Sequence, residues 1–516
     1  MIKTKTYNFF LYFLLGIFSF FYNFWVSNRG VFPIDTFLHY DSAYKILNGE
    51  IPVRDFWVIH GLTIDYIQSI FFYIFGTSWI SYISHSSIFN CIMTLLVFNF
   101  FKKLGINVLY TFILSICFSI LAYPISGVPF IDHHATFFSV IGLLFFYYGI
   151  EKKNYNFFIF IPFVFGLAFF SKPVPTTYIL ILLLSLLILC LYFTRDLKIL
   201  YSFLIGTLAV LISIFFFLVL QDIPLKNFLD QLFLYPVSIG GKRFEAILYS
   251  MQNRIFNFKF LIIPILFLIY LLFYKKNNSR VKKIDLTISF AIIALNLILI
   301  LHQLLTKNQN FIFFLIPINI GLIIYIGSKT NFKYKNYVNV IFLIATIILT
   351  IKYNERFNFE RKFHDLQNVN LNTYSEASKI NKALYPLKWK SNNFSKTQEE
   401  INLINRIIKI INTSNKNILL ITNYNFLDSI TSKRLYSVVK TYDNVTIPQK
   451  NNKYYITFKT FFNQKLIDKD IGEIIFFVPN LNTEEIRDNF NNLFTEKCFD
   501  LEKLDKAIIR LSLKNC

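Results

Sequence analysis

Over its first 352 residues the chain alternates long apolar runs with short polar interruptions. Runs of about 17–25 apolar residues suffice to cross a bilayer, and eleven are visible, at roughly 7–27, 78–101, 106–126, 134–150, 155–171, 175–194, 199–220, 259–274, 286–303, 310–327 and 337–352. After Lys352 the rhythm changes and Asn, Lys and acidic residues rise. Ser395 to Gln398 carries a capping-box signal, opening a helix with Ile401, Ile404, Ile408 and Ile411 on one stripe. Asn417 to Thr422 (NILLIT) and Glu473 to Val478 (EIIFFV) read as buried strands. Thr483 to Phe494 reads as a helix before a last element at Ala507 to Leu513. Alternating helices and strands predict a small α/β domain, and without a Gly-rich phosphate loop it is assigned no nucleotide. The expected architecture is therefore an α-helical polytopic membrane domain over 1–352, with about eleven transmembrane helices, followed by a soluble α/β domain over 353–516.

Composition supports the membrane reading: the chain is 55% hydrophobic, with a mean hydropathy of +0.49. A net charge of +22 could suit nucleic acid, but the basic residues of the first part sit in short loops between apolar runs. With a cytoplasmic N-terminus, the inner loops hold Lys102-Lys103, Lys152-Lys153, Arg195 to Lys198, Lys275 to Lys283 and Lys329 to Lys335. That satisfies the positive-inside rule at each turn, so no nucleic-acid partner is expected and the C-terminal domain should lie outside. The first apolar run is long and lacks a small-x-small exit, so it reads as a retained helix rather than a cleaved signal peptide. Cys91, Cys117 and Cys190 lie in apolar runs as small hydrophobes. Cys498 and Cys516, in the soluble segment, are expected to form a disulfide if that segment is external.

Three longer loops then remain outside, at 28–77, 127–133 and 221–258. The first is the richest in chemistry. Val31 to Asp65, VFPIDTFLHYDSAYKILNGEIPVRDFWVIHGLTID, holds Asp35, Asp41, Glu50, Asp55 and Asp65. Carboxylates beside a membrane are costly to keep, which marks them as functional candidates. A turn at Asn48-Gly49 divides a helical pattern (Tyr40, Ala43, Tyr44, Leu47) from a second one (Ile64, Ile67, Phe71). Asp35, Gly49, Pro52, Arg54, Asp55 and Phe56, with a Tyr-rich helix between the first two, resemble the first external loop of the integral-membrane glycosyltransferases of the GT-C superfamily. These include bacterial relatives of protein O-mannosyltransferases and of the lipid A aminoarabinose transferase. Many relatives carry Asp-Glu where this chain has Asp35-Thr36.

The second loop reads GVPFIDHHAT. Asp132 there either caps the next helix or faces Asp35 across a cavity, positioning an acceptor or sharing with Asp35 a divalent cation such as Mg or Mn. The resemblance favours the second reading. Lys172, at the end of the fifth run, either snorkels to the headgroups or meets a lipid-linked phosphate. In the third loop Gly240-Gly241 precedes Lys242, Arg243 and Arg254. These form either an amphipathic basic surface or the carrier-phosphate contacts of the superfamily. His302 reads as a secondary, structural group.

The resemblance implies an enzyme of a bacterial cytoplasmic membrane that transfers a sugar from a polyprenyl-phosphate carrier in the bilayer to a lipid, glycan or protein acceptor at the outer face. Asp35 and Asp132 are then the catalytic acids. Asp35 serves as base toward the acceptor hydroxyl while cations stabilise the departing phosphate. Asp41, four residues before Lys45, fits an ordinary helix-surface ion pair, and Arg54 with Asp55 would brace the loop. The rival class is a polysaccharide or lipid transporter, or a polymerase-type membrane protein without transferase chemistry.

Overall fold

The computed structural model describes residues 2–245, 247–274, 282–306, 311–330, 333–478 and 497–515. The chain is a polytopic helical membrane protein with a small C-terminal sheet. Among the described residues ten helices are long and apolar enough to cross a membrane: Phe9–Ser27, Trp79–Lys103, Val108–Ile125, Ile131–Lys152, Pro173–Thr194, Leu197–Leu220, Ile255–Phe273, Lys283–Thr306, Phe311–Lys329 and Lys335–His364. The eleventh expected run forms the shorter apolar helix Asn156–Ser171, with Pro162 inside it. At 1.5 Å per residue, its 16 residues span less than the roughly 30 Å of a hydrocarbon core.

Contacts divide the chain into two compact units. One comprises Met1–Ser27, Ile83–Phe216 and Lys242–Phe363; the other gathers Asn28–Tyr82, Phe217–Gly241 and His364–Cys516. The division thus differs from the boundary expected at 352/353. The first loop and most of the third belong with the C-terminal segment, because their aromatic residues are buried within that unit.

In the first unit, helices approach closely where side chains are small. A Cβ on Gly142 would lie 2.4 Å from the Phe165 ring, and one on Gly149 would lie 2.7 Å from Phe158. Buried amides tie helices together: Asn296 and Asn319 exchange hydrogen bonds of 2.9 Å in both directions, the interhelical polar contact that apolar surroundings favour.

The second unit has a two-stranded ladder, β1 (Ser375–Glu376) with β2 (Lys388–Trp389), and a four-stranded sheet. The latter comprises β3 (Asn417–Thr422), β4 (Ile471–Phe477), β5 (Lys497–Asp505) and β6 (Ile508–Asn515), in the order β3-β4-β6-β5. β3 and β4 run parallel, and β6 is antiparallel to both its neighbours. The expected strands thus form within two residues of their expected bounds, and β1, β2 and β5 are additional ones. Helix Thr397–Thr413 buries Ile401, Ile404, Ile407 and Ile411. Ser395 does not cap it: the cap position is Lys396, without a side-chain cap bond. The helix expected at 483–494, Cys516 and the side chain of Cys498 lie outside the described residues, and with them the expected disulfide.

The first loop forms the two expected helices, Leu38–Leu47 and Leu62–Phe75, with Gly49 at φ 86° between them. Backbone pairing joins it to the C-terminal segment at two places. Gly30 N–H donates to Lys388 O (3.0 Å) and Val31 N–H to Lys390 O (2.8 Å); farther on, Trp57 N–H donates to Val438 O (2.7 Å) and Lys440 N–H to Trp57 O (3.0 Å). Around these contacts Phe37 packs on Trp79, Trp389 and Phe426. Trp57 joins Tyr235, Phe458 and Phe461 in the core beside the sheet.

Candidate functional site

Asp35 lies on the single helical turn Pro33–Thr36, started by Pro33 and half-buried. Proline suits that first position because its fixed φ is already helical and its missing N–H would be unpaired there anyway. The adjacent Thr36 accepts the Phe32 N–H at 3.0 Å and lies 3.1 Å from His364 Nδ1. The turn is therefore held by its neighbour's hydroxyl and by the stacked Phe37.

Asp41 and Lys45 make the expected ion pair, at 2.6 Å, but it is not a surface pair. Asp41 is 8% and Lys45 3% exposed, because the C-terminal segment covers that helix face. Burial opposes the Lys45 charge, yet Asp41, Glu50 and Asp428 together hold its ammonium above its ordinary range. Glu50 in turn pairs with Arg434 at 2.8 Å. Asp428, on the turn after β3, accepts the Leu435 N–H at 2.7 Å. Burial first, then the Asp41 charge, push its carboxyl up to about 7, against the pull of Lys45.

Arg54 and Asp55 brace the loop as expected. The guanidinium donates to both Asp55 oxygens (3.2 and 2.8 Å) and to Gln221 O (3.0 Å), while Asp55 also accepts the Ile51 N–H at 2.8 Å. Burial works to raise the Asp55 carboxyl, but Arg54 and this N–H outweigh it and hold it low.

Asp65 is fully buried between His39 Nδ1 (2.6 Å) and Lys440 Nζ (2.6 Å). Burial drives its carboxyl up to about 7 against the attraction of Lys440. Burial also lowers the Lys440 ammonium, and burial with the Lys440 charge keeps His39 neutral, well below its usual range. Gly61, at φ +89°, makes room for this cluster: a Cβ there would stand 2.5 Å from Lys440 Nζ and 2.7 Å from His39. Glu400, also fully buried, is satisfied by Trp389 Nε1 (2.9 Å), Ser391 Oγ (2.7 and 2.9 Å) and Tyr424 OH (2.8 Å).

Asp132 belongs to the helical unit. The cap position of its helix is Phe130, and the carboxylate instead accepts from Lys172 Nζ (2.8 Å to each oxygen) and lies 2.9 Å from His302 Nε2. Lys172 and His302, expected to act apart, therefore converge on one carboxylate. Arg254 is half-buried at the end of helix Ile247–Arg254. Lys242 and Arg243 lie on helix Tyr235–Glu245, and their side chains fall outside the described residues. Both Asp132 oxygens carry the Lys172 ammonium, and among the described residues there is no group of three or more His, Cys, Asp or Glu that could hold a metal ion.

Asp428, Asn425, Lys440, His39 and Glu400 were not singled out by the sequence. One signal was available for the first two: in an α/β sheet, ligands favour the carboxyl ends of strands, and both directly follow NILLIT. Searched against models of protein families and against curated proteins, the chain matches no family and no relative.

Proposed function

We propose that the chain is a membrane glycosyltransferase that moves a sugar from a polyprenyl-phosphate carrier to an acceptor at the membrane face where the 28–82 loop lies. The observation that carries this reading is the placement of Asp35: it stands half-buried on the turn Pro33–Thr36, started by Pro33 and braced by the Thr36 hydroxyl, directly after the first membrane helix. In the reaction Asp35 accepts the proton of an acceptor hydroxyl. The acceptor oxygen bonds to the anomeric carbon, and the bond from that carbon to the phosphate oxygen breaks, its electron pair leaving with the polyprenyl phosphate. Cations stabilise the departing phosphate.

Residues 28–82, 217–241 and 364–516 share one compact unit. On this reading all three face the same side of the membrane, which requires the short helix Asn156–Ser171, tilted neighbours or a thinned bilayer permitting, to cross as an eleventh span. With the N-terminus cytoplasmic, the unit is then extracytoplasmic.

The rival reading, a transporter, draws on Asp132, Lys172 and His302, since ionisable groups packed among membrane helices are the usual makings of an ion or proton path. Lipid-linked sugars from wild-type, deletion and Asp35→Asn strains separate the two. The transferase reading expects the same polyprenyl-phosphate sugar to accumulate in the deletion and Asp35→Asn strains, with purified activity down by roughly 10²–10⁴-fold in the variant. An Asp35→Asn strain indistinguishable from wild type would sink it.

A further inference from the structure

Within the first unit, five membrane helices enclose a cleft with about 60 Å³ of water-accessible space and almost wholly apolar walls. Val97 and Phe100 line it from helix Trp79–Lys103, as do positions between Val140 and Ile150 on helix Ile131–Lys152 and between Ile284 and Leu295 on helix Lys283–Thr306. One water needs roughly 10–15 Å³ of such space, but apolar walls keep a cavity dry and favour hydrocarbon. From Val140 to Ile150 and from Ile284 to Leu295 the helices rise about 15 and 17 Å at 1.5 Å per residue. That is half of a hydrocarbon core of roughly 30 Å, so the cleft is one leaflet deep. It also lies at the basic ends of its helices: Lys103 follows Phe100 within one turn, Lys152 follows Ile150, and Lys283 precedes Ile284. The Lys103 and Lys152 ammoniums stand 4.3 and 5.6 Å from the centre of one ring, that of Tyr148, close enough to act on each other as like charges. Both side chains are exposed. The nearby acids do not balance them. Asp285 is taken by Lys329 (2.8 Å) and Tyr325 (2.5 Å), and exposed Glu151 is one acid against Lys103, Lys152 and Lys283.

We propose that this cleft holds part of one acyl chain of an anionic phospholipid, drawn from the leaflet at the basic helix ends, with the lipid phosphate seated between Lys103 and Lys152. An apolar wall one leaflet deep with cations at its mouth matches the two ends of such a lipid. A phosphate between the two ammoniums replaces their repulsion by two charge-assisted contacts, while the Tyr148 ring steadies both lysines from below. A zwitterionic lipid brings an ammonium of its own to the lysines, and an uncharged one fills the wall but leaves them unanswered. A long isoprenoid chain does not end at the midplane, whereas a straight acyl chain has the depth of its own leaflet. The loop that carries Asp35 precedes the other end of helix Trp79–Lys103, so the site is independent of the transfer step.

The test uses the full chain in nanodiscs of dioleoyl phosphatidylcholine carrying a trace of phosphatidylglycerol with a diazirine in its acyl chain, and in parallel the same probe with a phosphatidylcholine head. After irradiation, labelled peptides are mapped by mass spectrometry. The expected result is phosphatidylglycerol label concentrated on helices Ile131–Lys152 and Lys283–Thr306, in excess of that on helix Leu197–Leu220, where Leu208 is 59% exposed, and in excess of the phosphatidylcholine label at the same positions. Unlabelled phosphatidylglycerol should compete it away. Replacing Lys103 and Lys152 together by Met should cut the phosphatidylglycerol preference by about fivefold for each lysine. Ala291→Phe fills the cleft and should abolish the excess label; if that buried change prevents folding, Leu144→Trp fills it from a half-buried position of the wall. Equal labelling of helix Leu197–Leu220, equal labelling by the phosphatidylcholine probe, label untouched by the filling variants or by the lysine pair, full competition by glycerol phosphate alone, or stronger displacement by farnesyl phosphate than by phosphatidylglycerol would each overturn the proposal.

Discussion

Lys440→Met isolates the buried Asp65 cluster, and its effect should depend on pH in a way that surface charge cannot imitate. In the native protein Asp65 releases its proton only near pH 7, well above its ordinary value, so folding takes up a proton and stability falls as pH rises from about 4. In the wild type this fall stops near 7, where Asp65 ionises against Lys440 at 2.6 Å. Methionine fills the space of the lysine stem but offers no charge, so Asp65 stays protonated and stability continues to fall by about 1.4 kcal/mol for each further pH unit. The variant should therefore match the wild type near pH 6 and trail it by about 3 kcal/mol at pH 9, approaching the roughly 3–5 kcal/mol for breaking a buried pair. For a unit of this size that is a difference of roughly 6–12 °C in unfolding temperature, measurable by differential scanning fluorimetry of the detergent-solubilised protein. Adding Asp65→Asn should abolish the slope. A Lys440→Met deficit that stayed constant from pH 6 to 9, or a slope that survived Asp65→Asn, would refute the linkage.

Asp428→Asn should behave in the opposite sense. The asparagine can still accept the Leu435 N–H but never ionises, so the variant gains on the wild type between pH 5 and 7 and then holds level, and a flat difference in unfolding temperature across that range would contradict the buried-acid assignment. Asp41→Asn strands Lys45, 3% exposed, and should cost about 2–4 kcal/mol in the same assay; a neutral effect would restore the surface-pair reading. Asp132→Asn should destabilise the helical unit more than the double change Asp132→Asn/Lys172→Met, because the single change leaves an ammonium without its carboxylate; equal losses would mean that the pair is energetically idle.

What the sequence determined alone was what depends on near neighbours. Hydropathy located the apolar helices, the i,i+4 spacing of Asp41 and Lys45 gave their ion pair, adjacency gave the Arg54–Asp55 brace, and a run of β-branched and apolar residues gave β3. β5 escaped because Lys497, Asp500, Glu502 and Lys503 read as solvated chain; an edge strand pairs on one side only and tolerates such charge. Tertiary structure decided what depends on the path of the chain. Nothing local announces that Asp65 will meet Lys440, 375 residues away, or that Asp132 will find Lys172 and His302 rather than cap its own helix. Burial changed meaning as well as geometry: an Asp–Lys pair that costs little in water becomes a buried pair once the C-terminal segment covers it. Periodicity registers which face of a helix is apolar. Which distant surface will cover its polar residues depends on long-range packing, and no pattern within the helix encodes that.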